Sequence, residues 1–279
     1  MKTGFVIVNY NDYETTSKLL ENIKNYKCID LITVVDNNSS DNSFNLLKKY
    51  ENNKINIIKN SSNKGYGSGI NYGSKHLINR LGDCYIIVSN PDIVIYKEED
   101  LIKLINSFDD KTAMVGPIIK EHTGLNRGWK VPTPLQDAIL NIIFIHRFLR
   151  PKMLFYKKNY YKGIVPVEAI TGCFFIINSA DLKEVNYFDE NVFLYYEENI
   201  MAKKIYRKIV VNSDVTVFHN HSVTIDKNIS KIRKYKELKK SQMYFHKKYS
   251  KANKLELAIL YITNKTTLLL LYIKSIFKK

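Results

Sequence analysis

The chain has 279 residues, 45% of them hydrophobic, enough to bury one substantial core and carry an appendage. Its three cysteines, Cys28, Cys84 and Cys173, are isolated and odd in number, which argues against a disulfide framework or a zinc site and fits a reducing compartment. The formal charge of +16 is lopsided: residues 226–279 hold 15 Lys and Arg against 3 Asp and Glu, while residues 1–225 are close to balanced.

Residues 4–8 read as a first strand. That apolar run is too short for a signal-peptide core, so a cytoplasmic location is expected. Asp12 or Thr15 can cap a helix carrying Leu19, Leu20 and Ile23 at helical spacing. A second strand, residues 31–35, ends on Asp36 and gives way to Asn37-Asn38-Ser39-Ser40-Asp41 and a helix with Phe44, Leu46, Leu47 and Tyr50. Residues 55–58 are a third strand. The glycine-rich segment Asn63-Lys64-Gly65-Tyr66-Gly67-Ser68-Gly69 leads into a helix over 69–81, and 84–88 form a strand running on into Ser89-Asn90-Pro91-Asp92. Leu101, Leu104, Ile105 and Phe108 mark another helix, and 113–119 another strand. Such repeated strand–helix units predict an α/β fold with a mostly parallel sheet flanked by helices. Ligands in these sheets bind beyond the carboxyl ends of the strands, where Asp36 and Asp92 stand.

Residues 120–165 lose this regularity and contain Trp129, Pro132 and Pro134; a long irregular or partly helical insertion of this kind often shapes a substrate pocket. Strand character returns over 167–178 around Thr171-Gly172-Cys173. A helix is expected from Glu197, and strands over 209–217 end at His219.

Several constellations carry chemistry, each beside a plainer reading. Asp36 and its neighbours can hold a nucleobase or ribose, or simply cap a helix. Gly65, Gly67, Gly69 and Gly73 can let amides approach a phosphate at a helix start, with Lys64 adding charge, or can serve an ordinary loop. Asp92 can supply a carboxylate to a hard divalent cation on a diphosphate, and His219 can join it if the ion is Mn²⁺. A histidine at a strand end is also an ordinary structural hydrogen-bonder. His221 would share its face. Glu197 and Glu198 complement a helix N-terminus, and either can act as a general base whose pKa the flanking aromatics raise.

The ordered set Val34-Val35-Asp36-Asn37-Asn38-Ser39-Ser40-Asp41, Asn63-Lys64-Gly65-Tyr66-Gly67, Asn90-Pro91-Asp92, Thr171-Gly172, and 188–190 through Tyr196-Glu197-Glu198 resembles glycosyltransferase family 2, with the GT-A fold and the rhamnosyltransferase-like branch of polysaccharide assembly. The resemblance spans about residues 3–225. It implies a nucleotide-binding half over about 1–119 and an acceptor-binding half over about 120–225. It implies inverting transfer from a dTDP- or UDP-sugar to a hydroxyl of a lipid-linked or oligosaccharide acceptor. Asn9, Asp36, Asn38, Lys64, Gly65, Asn90 and Asp92 would hold the donor, and Asp92 with His219 the metal, Mn²⁺ or Mg²⁺. Trp129, Thr171, Gly172 and Tyr196 would line the acceptor pocket. Asn90 replaces the first acid of the family's DxD motif. Glu198 stands where the family has the Asp of its Glu-Asp pair, which leaves Glu197 and Glu198 both open as the base.

In the tail, residues 229–249 place Ile229, Ile232, Tyr235, Leu238 and Met243 among many lysines, an amphipathic basic pattern. Residues 255–277 are more apolar but are interrupted by Glu256, Lys265 and Lys274; a Lys near a bilayer centre costs about 2.5–3.5 kcal/mol. Helices lying on an anionic membrane surface at the inner face of the plasma membrane are therefore expected, with packing on the chain's own core or in a homodimer as the alternative. Nucleic acid is not the expected partner, since the tail holds one Arg and no reader motif. Two rivals stand beside the enzyme reading: a sugar-nucleotide binder without turnover, and a nucleic-acid binder acting through the tail.

Overall fold

The computed structural model describes residues 1–122, 124–220 and 231–276; His221 and Ile229 lie outside them. The first third is a run of strand–helix units. β1 (Lys2–Asn9), buried along nearly its whole length, is followed by α1 (Tyr13–Ile23), which buries Thr16, Leu19, Leu20 and Ile23 as one helical stripe. β2 (Leu31–Asp36), α2 (Ser43–Lys48), β3 (Ile55–Lys59), α3 (Tyr66–Leu81) and β4 (Cys84–Ser89) complete it. The order β3-β2-β1-β4 is parallel throughout, and the register pairs Asn9 with Asp36 and Ile7 with Ser89, so these strands end along one edge. Side chains alternate between the faces: Phe5, Ile7, Ile32 and Val34 join one core, and Val6, Val8, Val35 and Ile86 the other.

The glycines of α3 have a packing role. A Cβ on Gly69 or Gly73 would lie 2.7 Å from Val8 or Val6, so both let the helix settle onto the sheet. This corrects their expected place as phosphate-facing amides: both are buried between helix and strand.

Beyond β4 the pattern changes. β5 (Ile93–Val94), α4 (Glu98–Ile105), β6 (Thr112–Glu121) and β7 (Gly124–Asn126) precede an insertion with α5 (Pro134–Leu140) and α6 (Ile143–Leu154). α5 starts at a reciprocal capping box between Thr133 and Gln136, with Pro134 in the first turn. β8 (Ile164–Val167), β9 (Phe174–Asn178), α7 (Ser179–Glu184), α8 (Glu197–Lys204) and β10 (Lys208–His219) follow. β9 enters between β4 and β6, antiparallel to both, giving the order β3-β2-β1-β4-β9-β6-β10-β5. The sheet is therefore mixed: β9 is reached through the insertion, not through a crossover helix of the kind that parallel neighbours require.

The tail forms α9 (Lys231–Lys248) and α10 (Lys254–Ile276). α9 buries Ser241, Gln242, Phe245 and His246 against the loop before α8, where Ser241 Oγ donates to the Leu194 carbonyl at 2.8 Å. α10 packs on α5 and α9.

Candidate active site

At the sheet edge the strand ends are cross-linked by short polar side chains. Asn9 Nδ2 donates to Asp36 Oδ2 at 3.0 Å, and the Ser39 amide donates to Asp36 Oδ1 at 2.9 Å. Asp36 is fully buried, one carboxylate oxygen bonded to Asn9 at the end of β1 and the other to the loop that follows β2, and that loop exposes Asn38, at φ 63°, with Ser40 and Asp41. Asn37 Nδ2 reaches Asn63 and the Gly65 carbonyl, each at 3.0 Å, which ties in the glycine-rich segment. Gly65 sits at φ 105°, and a Cβ there would lie 2.2 Å from the Phe193 carbonyl oxygen, so only glycine fits. Lys64 beside it is exposed.

Asp92 lies just past β4 and meets β10 across the sheet. His219 Nε2 is 3.1 Å from Asp92 Oδ1, and His219 Nδ1 is 3.4 Å from Glu121 Oε1. All three come from strand ends, through the antiparallel β5–β10 pair and the parallel β6–β10 pair. Burial opposes a charge on His219, but its bonds to Asp92, Cys173 and Glu121 outweigh that and push its pKa up to about 12. The site thus favours a cation between its carboxylates. Among the described residues no group of three or more His, Cys, Asp or Glu converges as a ready metal cage. Two protein ligands nonetheless fit an ion that takes the rest of its shell from a diphosphate and water. Asp92 and His219 are now joined by a hydrogen bond, and an ion held by both would take the place of the proton on His219 Nε2. Glu121 would then hold the ring with Nε2 facing the ion.

Thr171-Gly172-Cys173 joins this corner to the acid pair. The Cys173 carbonyl accepts from the Asn90 amide at 2.7 Å, while the Gly172 amide donates to Glu198 Oε1 at 3.0 Å. Thr171 Oγ1 bonds Cys173 Sγ at 3.3 Å. Tyr66, whose hydroxyl donates to the Gly172 carbonyl at 3.1 Å, feels the charges of Glu198, Glu197 and Asp92 together. Glu197 is buried, and its Oε1 finds no hydrogen-bond partner among the described residues. Burial, and next the charge of Glu198, raise its pKa to about 8. Burial raises Glu198 too, but its own amide and that of Gly172 pull the other way. Glu197 has only its own amide to offset this, whereas Glu198 has the Gly172 amide as well.

The acid pair is set by an unusual turn. Tyr195 and Tyr196 both take left-handed backbone conformations, φ 71° and 69°, immediately before α8. Side chains of this type rarely adopt that region, and each such residue costs about 1–3 kcal/mol unless its surroundings fix it. Here they do. The Tyr196 hydroxyl donates to Asp137 of α5 and accepts from Gln242 Nε2 of α9 at 2.9 Å, and its ring packs on Phe245. His246 Nε2 lies 2.7 Å from the same Asp137 oxygen. Tyr196, expected to line an acceptor pocket, is thus buried in the joint between α5, α8 and α9. Trp129, by contrast, comes to the acid helix: its Nε1 donates to Asn199 Oδ1 at 2.9 Å.

Sequence reasoning passed over Tyr66, Glu121 and the α5–α9 joint. Tyr66 was visible only as an aromatic inside a glycine run. Glu121 follows an apolar strand as any solvated residue would.

The family model for Glycosyl transferase family 2 matches residues 5–185. The low-salt glycan biosynthesis hexosyltransferase Agl10 of Haloferax volcanii is 27% identical over 197 residues, which cover 70% of this chain and 58% of that protein, so the chain spans less than two thirds of that curated relative. Mannosyltransferase PcManGT from Pyrobaculum calidifontis, solved with GDP-Man and Mn²⁺, superposes with a TM-score of 0.60 at 12% identity, over 96% of this chain and 72% of that one. GalNAc-T7 with UDP, GalNAc and Mn²⁺ gives 0.58 at 17% identity, over 79% of this chain and 44% of that one. Staphylococcus aureus TarS (1–349) with UDP gives 0.56 at 17% identity, over 93% and 70%. At these identities the likeness to the solved structures is one of fold.

Proposed function

The chain belongs to glycosyl transferase family 2 and has the GT-A fold, and from there we propose that it is an inverting hexosyltransferase. It moves rhamnose or another hexose from a dTDP- or UDP-sugar to a hydroxyl of a lipid-linked or oligosaccharide acceptor in cell-surface polysaccharide synthesis. The observation that carries this reading is the Thr171-Gly172-Cys173 bridge, which holds Glu198 on one side and the Asp92 corner on the other.

The donor's nucleotide lies along the loops after β2 and β3, met by Asn38 and Lys64 and shaped by Asn9, Asp36 and Gly65. Asp92 and His219 would hold Mn²⁺ or Mg²⁺ against the diphosphate, where the ion supplies positive charge to the leaving group. Glu198 takes the proton of the acceptor hydroxyl as its oxygen bonds to the anomeric carbon. The bond from that carbon to the diphosphate oxygen breaks, its electron pair leaves with the nucleotide diphosphate, and one displacement inverts the centre. Glu197, raised to about 8, keeps its proton at neutral pH, so the pair carries one negative charge instead of two. Trp129 and Thr171 border the acceptor side. The basic tail supports a cytoplasmic enzyme resting on the inner face of an anionic membrane, within reach of a lipid-linked acceptor.

The test is a thermal-shift screen of dTDP- and UDP-sugars with and without Mn²⁺ or Mg²⁺, since a ligand that binds only the folded chain raises its midpoint. A metal-dependent rise with one nucleotide class supports the transferase and names the base. No rise with any donor overturns the donor-site assignment. Binding without transfer to any acceptor returns the chain to a non-catalytic binder.

A further inference from the structure

α10 half-buries Leu257, Leu268 and Leu271, yet it leaves more large apolar side chains exposed than it buries. The residues it buries against the protein form one stripe, Leu260, Asn264 and Thr267, two of them polar. They dock on Asn141 at the end of α5: Asn141 Nδ2 donates to Asn264 Oδ1 at 2.7 Å, and Thr267 Oγ1 donates to the Asn141 carbonyl at 2.7 Å. The other faces expose Leu255, Ile259, Ile262, Leu269, Leu270 and Ile273. A helix that packs in water does the opposite. Hydrogen bonds inward and hydrocarbon outward is the arrangement of a helix that meets lipid. Only 17% of its most apolar window is buried within the chain.

The insertion continues this surface. α5 packs against α10 and also against α6, and these helices with their immediate flanks hold fourteen of the twenty-two large hydrophobic side chains exposed among the described residues. That concentration separates the patch from the scattered exposure found on any protein. Phe148 is the most exposed of them on α6, at 72%, with Ile145 beside it. Arg147, Arg150 and Lys152 lie on the same helix. Tyr261 and Tyr272 add exposed aromatic rings on α10, the residue type enriched at membrane–water interfaces.

We propose that α5, α6 and α10 form one docking surface for an anionic lipid bilayer, α10 lying in the interface plane and α6 of the insertion serving as its second anchor. This rests on the membrane reading of the tail given above and extends it to residues 134–155. Charge selects the occupant: α5, α6 and α10 hold six Lys and Arg against two Asp and Glu, a net +4, which draws the face to anionic headgroups and sets two copies of it against each other. Lys265, exposed midway along α10, keeps the helix at the surface instead of across the bilayer.

The full chain is sedimented with vesicles of mixed phosphatidylglycerol and phosphatidylcholine, and with vesicles of phosphatidylcholine alone. Wild type is expected to bind the former and to be released by salt. Ile145→Asp/Phe148→Asp on α6 should lower the partition coefficient at least about tenfold, as should Ile262→Asp/Leu269→Asp on α10. All four side chains are exposed, so the thermal midpoint and the response to sugar nucleotides should hold. If the α10 pair abolishes binding while the α6 pair binds as wild type does, the insertion is no anchor and the proposal falls, with the tail reading intact. If wild type binds neither vesicle, the membrane reading itself falls. A concentration-dependent dimer by light scattering that either pair dissolves would assign the face to a second copy and overturn the proposal.

Discussion

The Gly172 amide donates a hydrogen bond to Glu198 Oε1 at 3.0 Å, and a Cβ on Gly172 would lie 2.7 Å from that same oxygen. The atom in the way is the tip of a flexible side chain. Gly172→Ala should therefore fold with little change in thermal midpoint while displacing the carboxylate. We expect kcat to fall about 10²-fold, as for other misplacements near 1 Å, with donor affinity kept. Steady-state kinetics alongside donor calorimetry separates the two effects.

Glu198→Gln should bind donor as wild type does and lose on the order of 10²–10⁴ in kcat. A general base works only when ionised, so the wild-type rate should climb with pH through the raised pKa of Glu198 and then level off. A flat profile from about pH 5 to pH 9, or a fully active Gln variant, removes Glu198 from that role.

Glu197 makes a prediction about stability. Its folded pKa is about 8 against an ordinary 4.5, so across that window the folded chain holds a proton that the unfolded chain has released. Raising the pH through the window therefore favours unfolding. Glu197→Gln removes the penalty. Its midpoint should match wild type near the bottom of the window and exceed it at the top, by roughly 2–4 °C for each kcal/mol relieved. Calorimetry at the two ends tests this.

At the metal corner, Asp92→Asn should abolish Mn²⁺-dependent donor binding. Glu121→Gln leaves both ligands in place but loosens the histidine ring, and should weaken Mn²⁺ about 10–100-fold. Titration calorimetry of Mn²⁺ into the chain with UDP or dTDP present reads both.

Tyr196→Phe deletes the hydroxyl shared by Asp137 and Gln242 and leaves both buried groups short of a partner. The cost should be about 1–3 kcal/mol, read by urea unfolding. A fall in kcat larger than the change in donor affinity would mark the turn before the acid pair as the part that moved.

Much of this was legible in the chain. β1, β2 and β4 are rich in Val and Ile, and burial on both faces leaves such strands few polar positions, so their ends could be placed within a residue or two. The acids at those ends followed. β9 was harder, because nothing in 174–178 tells which neighbours a buried strand will choose. The docking of α9 was hidden for a physical reason. Its expected apolar face ran through Ile232, Tyr235 and Leu238, yet the residues that seat it include Ser241, Gln242 and His246. Their partners are a backbone carbonyl, a phenol and a carboxylate, and hydrophobic periodicity cannot register a polar interface. Asp36 shows the same limit. Its position was clear, but only the bonds from Asn9 and Ser39 reveal that it braces a loop.

The turn at Tyr195 and Tyr196 has a consequence for the order in which the protein is made. β1 to β9 and the donor loops precede it in the chain and β10 follows directly, but the helix that clamps it, α9, is synthesised about forty residues later. A nascent chain can thus assemble its donor cleft on the ribosome while the acid pair is still loose. Truncation before α9 should give a protein that holds sugar nucleotide and does nothing with it, so competence for transfer arrives only when α9 has emerged.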